Sequence, residues 1–298
     1  MTILSLFDGI GVTAQALKKL NIPVEKYYAS EIDPYAIKVA MLNHPDIIQL
    51  GDIRTIKGGD LPPIDLLIFG FPCQDLSSIG KGAGLNGERS GLFYEALRLL
   101  AEVKPKHFIA ENVASMPLSE RNKISALLGV EPIMINSALF ASGQCRKRLF
   151  WCNFKVTLPT DQGIKLQDII TNGFVDRDKS HALLTNQLPE TEVGLERYLF
   201  KSTGQLVFKE KYFAELDKPT KLVRFKNMQK LKLNKADKCY KNGVFRHISV
   251  NEAEALQTLP QDYTAGISKS QRFKCLGNSF TCDVIAHLLS FIKIENQI

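Results

Sequence analysis

The chain contains no uncharged apolar run near the roughly 20 residues that a membrane-spanning helix needs. Its opening, Met1-Thr2-Ile3-Leu4-Ser5-Leu6-Phe7-Asp8, has no basic leader region. It reads as a first core strand, so a cytoplasmic protein is expected. Cysteines are few, at 73, 145, 152, 239, 275 and 282. Six in 298 residues do not make a disulfide scaffold, and without a Cys-x-x-Cys pair no zinc or other metal site is expected. In a reducing compartment most of these thiols should be small buried groups. Internal repeats and low-complexity tracts are absent too. What remains is 45% hydrophobic and 23% charged, an ordinary globular composition with room for one α/β core and a smaller lobe.

The net charge of +7 is unevenly spread. Residues 201–246 carry 13 Lys/Arg against 4 Asp/Glu, a net +9, which leaves −2 for the rest of the chain. A near-neutral body with one basic segment is the footprint of a protein that meets a polyanion. A solvated lysine-rich surface gives the same count, so charge alone leaves both readings open.

Hydrophobic patterning divides the chain in three. Over 1–154, strands are expected near 3–7, 27–31, 47–50, 64–69, 107–110, 133–135 and 149–153, with helices near 13–20, 34–43, 90–103 and 121–128. The run Ile64-Asp65-Leu66-Leu67-Ile68-Phe69 is almost continuously apolar, as a strand buried on both faces is. This alternation indicates an α/β fold on a parallel sheet. Residues 155–245 lose the rhythm and read as a second, irregular lobe. Periodicity resumes over 246–298, with helices near 251–257 and 283–292, and this part is expected to return to the first domain.

Residues able to carry chemistry fall at strand ends. Phe7-Asp8-Gly9-Ile10-Gly11 leaves the first strand and opens a helix, where glycines let backbone amides approach a ligand. Glu31 ends the second strand, where an acid can accept from ribose hydroxyls, and Asp52 follows the third. Either carboxylate also reads as a helix cap. Gly70-Phe71-Pro72-Cys73-Gln74 leaves the most apolar strand, and a thiolate there would be a potent nucleophile. The segment 75–91 that follows has glycines at 80, 82, 84, 87 and 91, as a mobile lid would. Glu111-Asn112-Val113 ends a further strand on the same edge, where Glu111 could serve as an acid or cap a helix. In Gln144-Cys145-Arg146-Lys147-Arg148, strand alternation would turn Arg146 and Arg148 to one face.

In this order, Phe-x-Gly-x-Gly, the acid after the second strand, Gly-Asp-Ile, Gly-Phe-Pro-Cys-Gln, Glu-Asn-Val, Gln-x-Arg-x-Arg and a late Gly-Asn-Ser resemble the cytosine-carbon-5 DNA methyltransferase family. The resemblance covers 1–153 and about 246–298, with 155–245 in the place of the family's variable target-recognition domain. The opening Ser-Leu-Phe-Asp-Gly-Ile is most similar to the branch of vertebrate de novo methyltransferases and compact bacterial and phage enzymes.

The resemblance implies an α/β, Rossmann-like mixed sheet that binds S-adenosylmethionine, beside a smaller recognition lobe. It assigns Phe7, Asp8, Gly9, Ile10, Gly11, Glu31, Ile32, Asp52, Ile53, Phe71 and Pro72 to that cofactor, with Glu31 on the ribose and Asp52 on the adenine amino group. Gly277, Asn278 and Ser279 would close over the methionine end. Cys73 would be the nucleophile, Glu111 would engage ring nitrogen 3 of a flipped cytosine, and Arg146 and Arg148 would help hold that base. Gln74, Ser77, Arg89, Arg177, Lys179 and Arg246 are the expected DNA contacts. Two positions depart from the family's pattern. Phe280 stands where a small aliphatic residue is common after Gly-Asn-Ser, so the pocket floor is expected to differ. Val12 replaces a further glycine of many bacterial members.

The chemistry asks for these residue types independently. Carbon 5 of cytosine is a poor nucleophile until a thiolate adds at carbon 6 and charge at nitrogen 3 is relieved by an acid. A base stacked in duplex must be flipped out to reach such a site, at a cost of roughly a few kcal/mol. Transfer to RNA on the same motifs, or a catalytically silent DNA-binding partner, are the alternatives. Phe71-Pro72-Cys73-Gln74 and the length of the recognition segment favour DNA. A prokaryotic or phage source, with or without a companion restriction enzyme, fits the Lys, Ile and Asn richness, and a homo-oligomer is left open.

Overall fold

Every residue of Thr2–Leu6 is buried, and this segment forms β1, an interior strand of a seven-stranded sheet. In this computed structural model residues 1–72, 91–188, 191–201, 204–230 and 244–292 are described. The other strands of the sheet are β2 (Lys26–Ser30), β3 (Ile47–Gln49), β4 (Leu66–Gly70), β5 (His107–Val113), β6 (Ile133–Asn136) and β7 (Lys147–Cys152). Their order is β3-β2-β1-β4-β5-β7-β6. Neighbouring strands from β3 to β5 pair in parallel, whereas β7 runs antiparallel to both β5 and β6. The sheet is therefore mixed, as the family resemblance implies and as alternation alone does not. Residues 137–146 join β6 to β7 without a crossover helix, and a direct connection of that kind returns the chain antiparallel.

Eleven helices of four residues or more are described: α1 (Val12–Lys19), α2 (Pro34–Asn43), α3 (Leu92–Val103), α4 (Leu118–Leu128), α5 (Leu166–Ile169), α6 (Glu192–Phe200), α7 (Lys211–Glu215), α8 (Lys218–Lys230), α9 (Val250–Leu256), α10 (Lys269–Asn278) and α11 (Cys282–Leu289). Local chemistry sets several of their ends. Asp33 caps α2 by accepting from the Tyr35 amide, with Pro34 in the first turn. Gly129 closes α4 in the left-handed region at φ +71°. Ser249 and Glu252 form a reciprocal capping box on α9. On the sheet, Leu4, Leu67, Phe69, Phe93, Ala110 and Trp151 belong to one buried cluster, and the Trp151 indole donates to Ser125 Oγ at 3.0 Å.

Contacts divide the chain into two compact units: 1–136, 147–159 and 280–298 form the first, and 137–146 with 160–279 form the second. The expected return to the first domain at 246 thus falls at 280. Residues 246–279 stay with the second unit because β9 (Phe245–His247) pairs with β8 (Leu206–Phe208), and buried Glu252 binds Thr171 and Arg246. That unit has its own core of Leu195, Tyr198, Leu206, Phe208, Phe213 and Phe245. The first unit regains the chain with α11, which packs on α1 and pairs Asp283 with Lys19.

Candidate active site

Strands β1 to β5 are parallel, so their carboxyl ends share one edge of the first unit. β1 has β2 on one side and β4 on the other, which reverses the chain order there. Open α/β sheets bind ligands outside the carboxyl ends at such a point.

Phe7 leaves β1 with φ +55°, and Gly9 and Gly11 follow at +63° and +75°. These left-handed residues turn the backbone sharply into the start of α1, so that the turn lies at the helix N-terminus. Glu31, just past β2, braces the turn. Its Oε2 accepts from the Gly9 amide at 2.9 Å, and its Oε1 accepts from the Ile32 and Asp33 amides at 2.8 and 2.9 Å. A carboxylate offers about four acceptor positions, so these bonds leave room for a further donor on Oε2. Ser30 Oγ donates to the Gly51 carbonyl at 2.7 Å and ties the end of β2 to the turn after β3.

Several residues expected at a cofactor are otherwise engaged. Asp8 turns inward and is only 5% exposed, and its Oδ1 accepts from the Tyr27 hydroxyl at 2.6 Å. Burial pushes its carboxyl up to about 6, opposed by Ser5 and Tyr27 and reinforced by the Glu31 charge. Asp52 accepts from the Arg54 amide at 3.0 Å, and both of its oxygens meet the Arg54 guanidinium. These hydrogen bonds hold its carboxyl below the usual range. Ile10 and Ile53 are buried, and the Phe71 ring lies in the core 4.6 Å from that of Phe93. Pro72 is half-buried, and Ile32, at 67% exposure, presents an apolar side chain to solvent.

Gly70 ends β4 and stands opposite Glu111 in β5. Because β7 runs antiparallel to β5, its first residues lie at the carboxyl end of β5, with Arg148 opposite Val113. Arg148 Nε reaches Oε1 of Glu111 at 2.9 Å, and Glu111 is only 9% exposed. Asn112, to which sequence reasoning gave no role, donates Nδ2 to the Phe71 carbonyl at 3.1 Å and ties the exit of β4 to β5. Its place in Glu-Asn-Val was the only signal for it.

Arg146 precedes β7, lies in the second unit, and donates Nη2 to the Gly277 and Ser279 carbonyls at 3.1 and 2.7 Å. Asn278 is exposed at the end of α10, while Ser279 is buried with its Oγ donating to the Leu276 carbonyl at 3.0 Å. Gly277 is closed to a side chain, since a β carbon there would sit 2.9 Å from the Thr185 amide nitrogen.

The expected DNA contacts that are described turn onto the second unit itself. Arg177 pairs with Asp176 at 2.9 Å and lies over the Tyr198 ring, 4.2 Å from its centroid. Lys179 donates to the Ser142 and Ile164 carbonyls. Arg246 pairs with Glu252 at 2.8 Å and donates to the Asn172 carbonyl. Buried carboxylates such as Asp176 and Glu252 need cationic partners, and these arginines supply them. Cys73, Gln74, Ser77 and Arg89 lie outside the described residues. Burial pushes the Cys152 and Cys282 thiols up to about 12, as suits inert core cysteines. Among the described residues no group of three His, Cys, Asp or Glu suits a metal ion, and no helix is long and apolar enough to cross a membrane.

The type II methyltransferase M.NgoBV of Neisseria gonorrhoeae is 33% identical over 180 residues, covering 53% of this chain and 43% of its own length. The type II methyltransferase M1.ScrFI of Lactococcus lactis subsp. cremoris is 27% identical over 312 residues, covering 95% of this chain and 75% of its own. The chain thus spans less than half the length of the gonococcal enzyme and three quarters of the lactococcal one. Among solved structures, the Entamoeba histolytica methyltransferase EhMeth is similar in fold, with a TM-score of 0.70 at 17% identity over 98% of this chain and 97% of that one. The profile described as C-5 cytosine-specific DNA methylase matches residues 1–293, nearly the whole length, and the chain belongs to that family.

Proposed function

We propose that the chain methylates carbon 5 of cytosine in duplex DNA with S-adenosylmethionine as donor. The observation that carries this reading is Glu111, held by Arg148 at the carboxyl end of β5, directly across from the strand that leads through Gly70 to Cys73. Family membership and type II methyltransferase relatives support DNA over RNA.

The edge beside β1 fits the cofactor. The Gly9 and Gly11 turn brings backbone close to a ligand, Glu31 Oε2 retains an acceptor position for a ribose hydroxyl, and Ile32 offers an apolar surface to adenine. Asp52 would take the adenine amino group only by sharing an oxygen with Arg54. When bound, S-adenosylmethionine supplies a sulfonium-activated methyl group. Cys73 acts as the nucleophile: its thiolate adds to carbon 6 of the flipped cytosine while Glu111 supplies a proton at nitrogen 3. The enamine-like ring is then reactive at carbon 5. Once carbon 5 carries the methyl group, its proton passes to solvent, and expulsion of the thiolate with return of the nitrogen-3 proton to Glu111 restores the neutral ring. Arg148 orients Glu111, and Arg146 secures the Gly277–Ser279 turn.

Bisulfite sequencing of DNA from a methylation-free bacterial host expressing the protein tests the reading. Cytosines protected in one short motif, and unprotected with Cys73→Ser, are the expected result. Protection that survives Cys73→Ser would remove the thiol from the mechanism. A folded protein that protects no cytosine would move the activity off DNA.

Duplex binding is assigned to exposed cations of the basic segment, among them Lys209, Lys211 and Lys218. Changing these three to glutamine is expected to weaken DNA binding and to flatten the slope of log K against log salt by about 0.9 for each phosphate that is no longer neutralised. An unchanged slope would make them ordinary solvated charges.

A further inference from the structure

The carboxyl end of β4 carries a packing arrangement that the chemistry above does not use. A β carbon built on Gly70 would lie 2.7 Å from Cε1 and 2.9 Å from Cζ of Phe280, and 3.0 Å from Oε2 of Glu111. Carbon atoms prefer about 3.5–4.0 Å, so no side chain fits at position 70 while both neighbours stay in place. The ring edge of Phe280 and one oxygen of Glu111 therefore converge on the same point above the Gly70 backbone. The other oxygen is the one that Arg148 holds at 2.9 Å. The edge of an aromatic ring carries the positive part of its quadrupole, which suits a neighbouring carboxylate oxygen. Phe280 is itself fixed from behind, because Cys282 begins the buried face of α11 and that helix packs on α1.

We propose that Phe280 is a positioning residue for Glu111. The guanidinium of Arg148 clamps Oε1, the ring edge borders Oε2, and Gly70 is glycine because ring and carboxyl group share the space its side chain would fill. The ring limits how far Glu111 can swing towards β4 and shields Oε2 from water. The inference rests on the cytosine-5 reading, since its consequence is the alignment of an acid with a bound base.

The test is a double-mutant cycle in the full chain, read as the single-turnover rate of methyl transfer to a cytosine-containing duplex over a range of pH. Phe280→Leu and Phe280→Ala are each made alone and with Glu111→Gln, and affinity for S-adenosylhomocysteine is titrated separately. Expected is a rate loss of about 10- to 100-fold for Phe280→Ala, with an altered pH profile, cofactor-product affinity within a few fold, and little further loss in the Glu111→Gln background. Gly70→Ala should be as damaging, and Phe280→Ala should restore part of the rate because it vacates the ring's space. Phe280→Leu keeps an apolar side chain and is the variant to read if the alanine protein does not fold. Additive losses, or an unchanged rate with weakened cofactor-product binding, would overturn the inference and leave Phe280 as a lining of the cofactor site. If the wild-type chain transfers no methyl group to DNA, the cytosine-5 reading fails first and the inference falls with it.

Discussion

Replacing Glu111 with glutamine is expected to slow methyl transfer by about 10²- to 10⁴-fold, the range typical of losing a positioned acid–base group. Binding of DNA and cofactor should change by only a few fold. Glutamine has almost the same shape, so its place opposite Gly70 and its packing in β5 are retained. Its amide oxygen still accepts from Arg148 Nε, which now pairs with Oε1 of the acid at 2.9 Å. What is lost is a transferable proton. The amide can donate a hydrogen bond to nitrogen 3 of cytosine but cannot hand over its hydrogen, so charge left by thiolate addition is only partly relieved. Some rate should therefore survive, in contrast to Cys73→Ser. A single-turnover rate within threefold of wild type would strike Glu111 from the proton-transfer role. A comparable loss in DNA affinity instead would make it a binding residue.

Much of this edge was legible in the sequence because its signals are local. The continuous apolar run ending at Phe69 marks β4, and the alternation of elements up to Asn43 places β1, α1, β2 and α2 within a residue or two. Turn glycines and acids at strand ends identify the ligand edge for the same reason. What was not legible depends on partners far away in sequence. The antiparallel insertion of β7 is set by pairs such as Ala110 with Trp151 and Ile135 with Arg148. Arg146 is taken up by carbonyls 131 and 133 residues distant. Charge counting has the same blindness. It scores Lys221 as part of a basic surface, whereas Lys221 is 3% exposed and pairs with Asp176 at 3.2 Å. Of the basic segment, then, only the cations without such buried partners can serve as a footprint for DNA.

Asp8 is the residue whose side could not be counted from β1, because Phe7 at φ +55° breaks the two-residue alternation just past the strand. Its inward turn leads to the second large effect. Burial pushes the carboxyl from an ordinary value of 3.8 up to about 6, so between those values the folded chain holds a proton that the unfolded chain has released. Stability must then fall as pH rises through that window and level off above it. Two pKa units correspond to about 3 kcal/mol, which is the expected cost at neutral pH of keeping this carboxylate buried, near the charge of Glu31. Asp8→Asn keeps an oxygen for the Tyr27 hydroxyl and cannot ionise. It should be more stable than wild type by up to about 3 kcal/mol at pH 8, and the difference should shrink towards zero near pH 4. Urea unfolding of both proteins at the two pH values measures it. A difference that does not vary with pH would show that Asp8 is not the proton-linked group, and a less stable variant at pH 8 would mean that the charge itself holds the turn.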